Sequence, residues 1–135
     1  MFLEMFQAVQ EKTPLVHNIT NYVTVNDCAN IVLACGGSPI MSDDIDDVED
    51  IISICNALVI NMGTLNARTI SSMVKAGKKA NALGKPVILD PVGAGASRLR
   101  TETAYLLMKE IKFAVIRGNI SEIKTLAQGA GTTKG

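Results

Sequence analysis

Arg117-Gly118-Asn119-Ile120-Ser121-Glu122 runs from an apolar segment directly into a helical one, and it carries three groups suited to a phosphorylated ligand. The Arg117 guanidinium can donate bidentate, charge-assisted hydrogen bonds to a phosphate. Glu122 can hold Mg²⁺ through the ion's water shell, and Asn119 can place an amide near the same helix start. These residues leave a second reading open, in which Asn119 or Ser121 caps the helix and Glu122 complements its dipole.

Small and polar residues also follow the other apolar runs: Asn21, then Met41 with Asp43-Asp44, then Asn61 with Gly63-Thr64, then Asp90-Pro91-Val92-Gly93-Ala94-Gly95. Gly93 and Gly95 allow positive φ or close backbone approach. Each has a plainer reading, because turns are built from Gly, Asn and Asp. Met41 fits a core position as well as a ligand wall, and Asp90-Pro91 fits a strand-terminating turn. Gly93-Ala94-Gly95 lacks the third glycine of a dinucleotide fingerprint, and Gly131-Thr132-Thr133-Lys134 lacks the Gly-Lys-Ser/Thr ending of a phosphate-binding loop. His17, a lone histidine in an apolar strand, reads as a hydrogen-bonded core residue without a catalytic role. Asp43 and Asp44 read as a solvated helix start, and Lys78-Lys79 as an exposed helix face.

The elements that must position these residues alternate. Phe2, Met5, Phe6 and Val9 are at helical spacing, with Pro14 as the stop. Strands are expected at 14–19, 38–41, 57–62, 86–90 and 113–117. Helices are expected from about Val23 through Leu33, over a segment with Val48, Ile51, Ile52 and Cys55 whose N-cap and first turn come from the acidic run Ser42 to Asp50, over 66–83, over 101–111, and from Ser121. The run Ala57-Leu58-Val59-Ile60-Asn61-Met62 reads as a strand covered on both faces. This alternation implies right-handed βαβ crossovers and a mainly parallel α/β sheet, whose ligands bind beyond the carboxyl ends of the strands.

Composition narrows the function classes. The chain has 135 residues, 47% hydrophobic and 19% charged, which suits one folded domain. Thirteen basic residues balance thirteen acidic ones and aromatics are 4%, so neither the basic surplus nor the stacking platform of a nucleic-acid binder is present. Cys28, Cys35 and Cys55 match no metal-ligand spacing and read as buried reduced thiols. No apolar run has the length to cross a bilayer, and 1–10 lacks the features of a signal peptide. A soluble, cytoplasmic protein without membrane or nucleic-acid partners is expected.

Read together, 14–23, 38–41, 57–65, 87–95 and 114–122 resemble, in order, the motifs of hydroxyethylthiazole kinase. The resemblance covers about Pro14 to Leu126. It implies the N-terminal portion of a ribokinase-like three-layer α/β sandwich, with 1–128 part of one kinase domain and 129–135 a Gly-rich linker or truncation point. It also implies phosphorylation of the primary alcohol of 4-methyl-5-(2-hydroxyethyl)thiazole by MgATP in thiamine biosynthesis and salvage, and a homotrimer with the thiazole pocket at the subunit boundary. Met41 resembles the residue that contacts the thiazole, and Asn21, Val23 and Gly63 resemble other parts of that pocket. Arg117 and Asn119 match positions that bind ATP, and Asp90 and Glu122 match the magnesium environment. The family's general base, a cysteine in a glycine-rich loop, has no counterpart among the three cysteines, so no catalytic residue is assigned. If Gly135 is the terminus, no turnover is expected from this chain alone. Alternatives are a ribokinase-like kinase of another small alcohol, such as a hydroxymethylpyrimidine or a sugar, and a non-catalytic module that binds ligand or assembles.

Overall fold

A computed structural model describes residues 1–132. The elements run α1 (Phe2–Lys12), β1 (Leu15–Ile19), α2 (Val25–Ala34), β2 (Ser38–Met41), α3 (Val48–Ile54), β3 (Ala57–Asn61), α4 (Ala67–Ala82), β4 (Val87–Asp90), α5 (Arg98–Glu110), β5 (Val115–Ile116) and α6 (Ile120–Thr132). The last helix takes in 129–132 of the glycine-rich stretch expected as a linker. Residues 133–135, including the end of Gly131-Thr132-Thr133-Lys134, lie outside the described residues.

The five strands form one sheet in the order β2-β1-β3-β4-β5, and every pairing is parallel. Strand order reverses at β1, so right-handed crossovers place α2 on one face and α3, α4 and α5 on the other. The switch point, where ligands collect in such sheets, lies between the carboxyl ends of β1 and β3. Register sets the site residues side by side: Asn18 is level with Met41, and Asn61 with Asp90.

The core fills the space between the sheet and α3–α5. Ile52, Leu58, Ile60, Met73, Val87, Leu89 and Leu107 are fully buried there. Local signals fix the helices on this side. Asn66 Oδ1 accepts from Thr69 N (2.9 Å) while Thr69 Oγ1 accepts from Asn66 N (3.2 Å), a reciprocal cap at the start of α4. Ser97 Oγ accepts from Arg100 N (3.2 Å), so α5 begins at Arg98, three residues before the expected Thr101, because the side-chain cap starts the helix ahead of its first buried residue, Thr103.

Several expectations are revised. Burial in β3 and β4 alternates, with Leu58, Ile60, Val87 and Leu89 buried but Val59 and Ile88 only half-buried. These strands are therefore sealed on one face and incompletely covered on the other. The α1 helix forms, but none of its residues is buried and Phe2 is 82% exposed; only its last turns, at Ala8 and Val9, are half-buried. The strand expected at 113–117 shrinks to Val115–Ile116, although Ala114 N→Val87 O and Arg117 N→Leu89 O continue its hydrogen bonding (2.9 and 3.0 Å). Of the cysteines, Cys55 alone is buried; Cys28 and Cys35 are half-buried, and all three are free. No helix among the described residues is long and apolar enough to cross a membrane.

Candidate functional site

Polar residues from four strand ends meet along the carboxyl edge of the sheet. Asn61, at the end of β3, is the junction. Its Oδ1 accepts from Asn21 Nδ2 (3.0 Å) and from Gly63 N (2.8 Å), and its Nδ2 donates to Asp90 Oδ2 (3.4 Å). The same Asp90 oxygen faces Arg117 Nε at 3.7 Å. Asn21 is held in turn by its own loop, where Thr24 N and Thr24 Oγ1 each donate to its Oδ1 (2.9 Å). Gly63 fits because it has no side chain: a Cβ there would stand 2.6 Å from Asn21 Cβ.

Glu122 ties α6 to the loop after β4. Its Oε2 accepts from Gly93 N (2.9 Å) and its Oε1 from Asn119 N (2.9 Å), while Asn119 Oδ1 accepts from Glu122 N (2.8 Å). Of the two readings left open by the sequence, these contacts are those of the cap: Asn119 and Glu122 cap α6, and the cap also fastens the Asp90–Gly95 loop. Gly93 has φ +80°, a left-handed conformation in which its N–H reaches the carboxylate.

At the other end of the rim a cavity of about 200 Å³ opens between the ends of β1 and β2, lined by Met41 with Asn18, Thr20, Tyr22, Val25 and Asp43. An exposed cluster borders it. Arg68 Nη1 donates to Asp43 Oδ1 (3.1 Å) and to Asp43 O (3.0 Å), Arg68 Nη2 donates to Tyr22 Oη (3.1 Å), and Tyr22 Oη donates to Asp43 Oδ2 (3.3 Å). Asp43 is thus an ion-paired member of the loop before α3 and not part of a solvated helix start. Hydrogen bonds from Arg68 hold its carboxyl below the usual range, against a smaller opposing effect of burial.

Burial shifts the carboxyl of Asp90 the other way, up from its usual value; Arg117 opposes this and Glu122 adds to it. A cation bound beside Asp90 would relieve that cost. No three His, Cys, Asp or Glu side chains among the described residues cluster as metal ligands. Asp90 and Glu122 offer the one or two carboxylates that Mg²⁺ takes beside waters and substrate phosphates, and the described residues form no all-protein cage for another metal.

Of the residues singled out in the sequence, Asn21 and Gly63 meet at one junction, and Met41 lines the adjacent cavity. Asp90, Arg117, Asn119 and Glu122 gather on the far side of Asn61. Val23 is not brought in: it is 90% exposed, outside the cavity wall and outside the hydrogen-bonded rim. His17 is fully buried on β1, its Nε2–H donating to Ser42 O (2.8 Å), as a core histidine would. Sequence reasoning missed Arg68 and Arg100. Arg100 lies in the first turn of α5, and nothing in the sequence marks a partner 37 or 38 residues away.

The model of the hydroxyethylthiazole kinase family matches residues 6–135. Proteins named hydroxyethylthiazole kinase from Clostridium acetobutylicum and Clostridium tetani are 67% and 65% identical to the chain, over 100% and 94% of its length. A solved structure, of the hydroxyethylthiazole kinase protein from Pyrococcus horikoshii OT3, superposes with a TM-score of 0.90 at 44% identity and covers 99% of this chain. The chain spans about half the length of the curated relatives it matches, 50% and 46% of these two, and 53% of the solved one.

Proposed function

The chain belongs to the hydroxyethylthiazole kinase family, and from that membership we propose that its strand-end rim forms the alcohol pocket and the phosphate-facing edge of a thiazole kinase. The reaction is transfer of the γ-phosphoryl group of MgATP to the primary alcohol of 4-methyl-5-(2-hydroxyethyl)thiazole, within thiamine biosynthesis and salvage. The observation that carries this reading is the unbroken contact path from Asn21 through Asn61 and Asp90 to Arg117, which begins beside the Met41 cavity and ends at a cation.

In this reading the thioether of Met41 packs against the sulfur-containing ring, for which a soft, polarizable wall is suited. Asn21 and Gly63 orient the hydroxyethyl arm toward the rim. Arg117, 67% exposed, turns its guanidinium to the nucleotide phosphates, with Asn119 beside it. Asp90 and Glu122 hold Mg²⁺ through its waters; when bound, the ion offsets charge on the phosphates. Phosphoryl transfer needs alignment and charge neutralisation more than covalent help from the protein, and these residues supply both. The alcohol oxygen bonds to the γ-phosphorus as the bond to ADP breaks. Its proton passes to a base that none of the described residues is assigned to supply.

Two further parts of the reading concern setting. Family membership favours a homotrimer, and the exposed apolar side chains Phe2, Leu3 and Met5 of α1, with Val23, are surfaces that a second copy could cover. Three free cysteines and dependence on MgATP favour the cytoplasm.

Thermal denaturation tests the substrate class. A ligand at a hundred times its Kd stabilises the native state by about 2.7 kcal/mol. The thiazole alcohol raises the Tm of the chain, while a hydroxymethylpyrimidine or a sugar at equal concentration does not. A shift with the pyrimidine or the sugar alone contradicts the reading in favour of another small-alcohol kinase.

A further inference from the structure

Arg100 extends from the first turn of α5 across the ends of two strands. Its Nη1 donates to Met62 O (2.7 Å) and Val92 O (3.1 Å), and its Nη2 donates to Gly63 O (3.0 Å). Its side chain is half-buried, and no carboxylate pairs with it among the described residues. Backbone carbonyls alone receive the charge. The fit on the far side is tight: a Cβ on Gly93 would stand 2.5 Å from Arg100 Cδ. That same Gly93 donates its N–H to Glu122, and Gly63 donates its own to Asn61.

One guanidinium therefore joins the loop that packs on Asn21 to the loop that receives Glu122. We propose that Arg100 is a positioning residue that couples occupancy of the alcohol pocket to the geometry of the phosphate side of the rim. The inference rests on the functional reading above and adds a reciprocal linkage between its two halves. A planar fork is needed for this work. An ammonium is a single point of charge and cannot hold two loops in one fixed geometry. Ordering either loop by a ligand lowers the cost of ordering the other, and by linkage the effect on affinity is the same in both directions.

Calorimetry of the 135-residue chain with the thiazole alcohol, in the absence and presence of the magnesium complex of a non-hydrolysable ATP analogue, tests this. Amide hydrogen exchange at 62–65 and 91–95 is followed alongside. The wild-type chain is expected to bind the alcohol about fivefold or more tightly when the nucleotide is present. The alcohol alone slows exchange at 91–95, on the side of Arg100 that it does not touch. R100K still binds the alcohol, but the ratio of the two affinities falls to about one. Exchange then quickens in both loops while β3 and α4 keep their protection, a pattern that a general loss of stability would not produce. A wild-type chain that binds both ligands without slowed exchange at 91–95 overturns the coupling, whether or not the variant folds, and so does an R100K ratio equal to that of wild type. If neither ligand binds the wild-type chain, the functional reading itself fails and the inference falls with it.

Discussion

Replacing Asn61 by Asp changes the rim at its junction while keeping the shape of the side chain. The acceptor that Asn21 Nδ2 and Gly63 N require is retained, at 3.0 and 2.8 Å. The donor that faces Asp90 Oδ2 at 3.4 Å becomes a second carboxylate oxygen. Two unit charges at that separation repel by about 5 kcal/mol with an effective dielectric constant near 20. A cost of that size exceeds what the pair can sustain, so it retains a proton well above the pH at which a free carboxyl loses it. Asp90 is already displaced upward by burial. N61D is therefore expected to match the wild-type urea midpoint near pH 5 and to lose stability steadily toward pH 8, as the shared proton is forced off. Asn61→Ala provides the control. It removes two well-formed hydrogen bonds worth about 1 kcal/mol each and strands two donors at a residue only 9% exposed, for a loss of about 2–3 kcal/mol at every pH. Urea denaturation of both variants from pH 5 to pH 8, followed by circular dichroism, measures this. A flat profile for N61D, parallel to wild type, would show that Asn61 and Asp90 are not neighbours and would refute the connected rim.

Asp90→Asn removes a carboxylate whose charged form is disfavoured by burial. Because the folded-state value is raised, the wild-type chain gains stability as pH falls through it; D90N is expected to raise the denaturation midpoint at pH 8 while abolishing Mg²⁺-dependent nucleotide binding, and a lower midpoint contradicts the assignment. Asp43→Asn acts with the opposite sign. The carboxyl of Asp43 is depressed by Arg68, so its contribution is present above the ordinary carboxylate range and disappears as pH falls through the folded-state value; for a pair this exposed the loss at pH 7 is about 1 kcal/mol or less, and it shrinks as the medium is acidified. His17 is pushed down by burial, with Nδ1 unpartnered among the described residues, so folding disfavours its protonated form; stability falls as pH drops below about 6.5, and His17→Gln flattens that slope in urea titrations between pH 5 and 7.

The order and kind of elements were legible because each strand is a short apolar run and each helix starts or stops on a local signal, such as Asn66 before α4. The candidate residues at the strand ends were legible for the same reason: a parallel sheet places everything that follows a strand at one edge. What joins those residues was not. Asn61 meets Asn21 across 40 positions and Arg68 meets Asp43 across 25, and no periodicity encodes either pair. The cluster of Tyr22, Asp43 and Arg68 turned an acidic stretch that resembles a solvated helix start into one wall of a cavity. Exposure was equally hidden. Phe2 and Phe6 have the spacing of a packed helix face, and Val59 and Ile88 sit in runs that look buried on both sides. Spacing states which residues share a face, whereas burial depends on what else is there to cover it.

The central claim is that the thiazole alcohol sits at the carboxyl edge of the sheet, between Met41 and the Asn21–Gly63 junction. Titration of the isotopically labelled chain with the alcohol, read by amide chemical shifts, tests it most directly. The expected result is a saturable set of shifts centred on Asn21, Met41 and Gly63, with none along α3 or the outer face of α4. Saturable shifts confined to the amino-terminal edge of the sheet, or to the helix layer, would place the ligand elsewhere and contradict the claim.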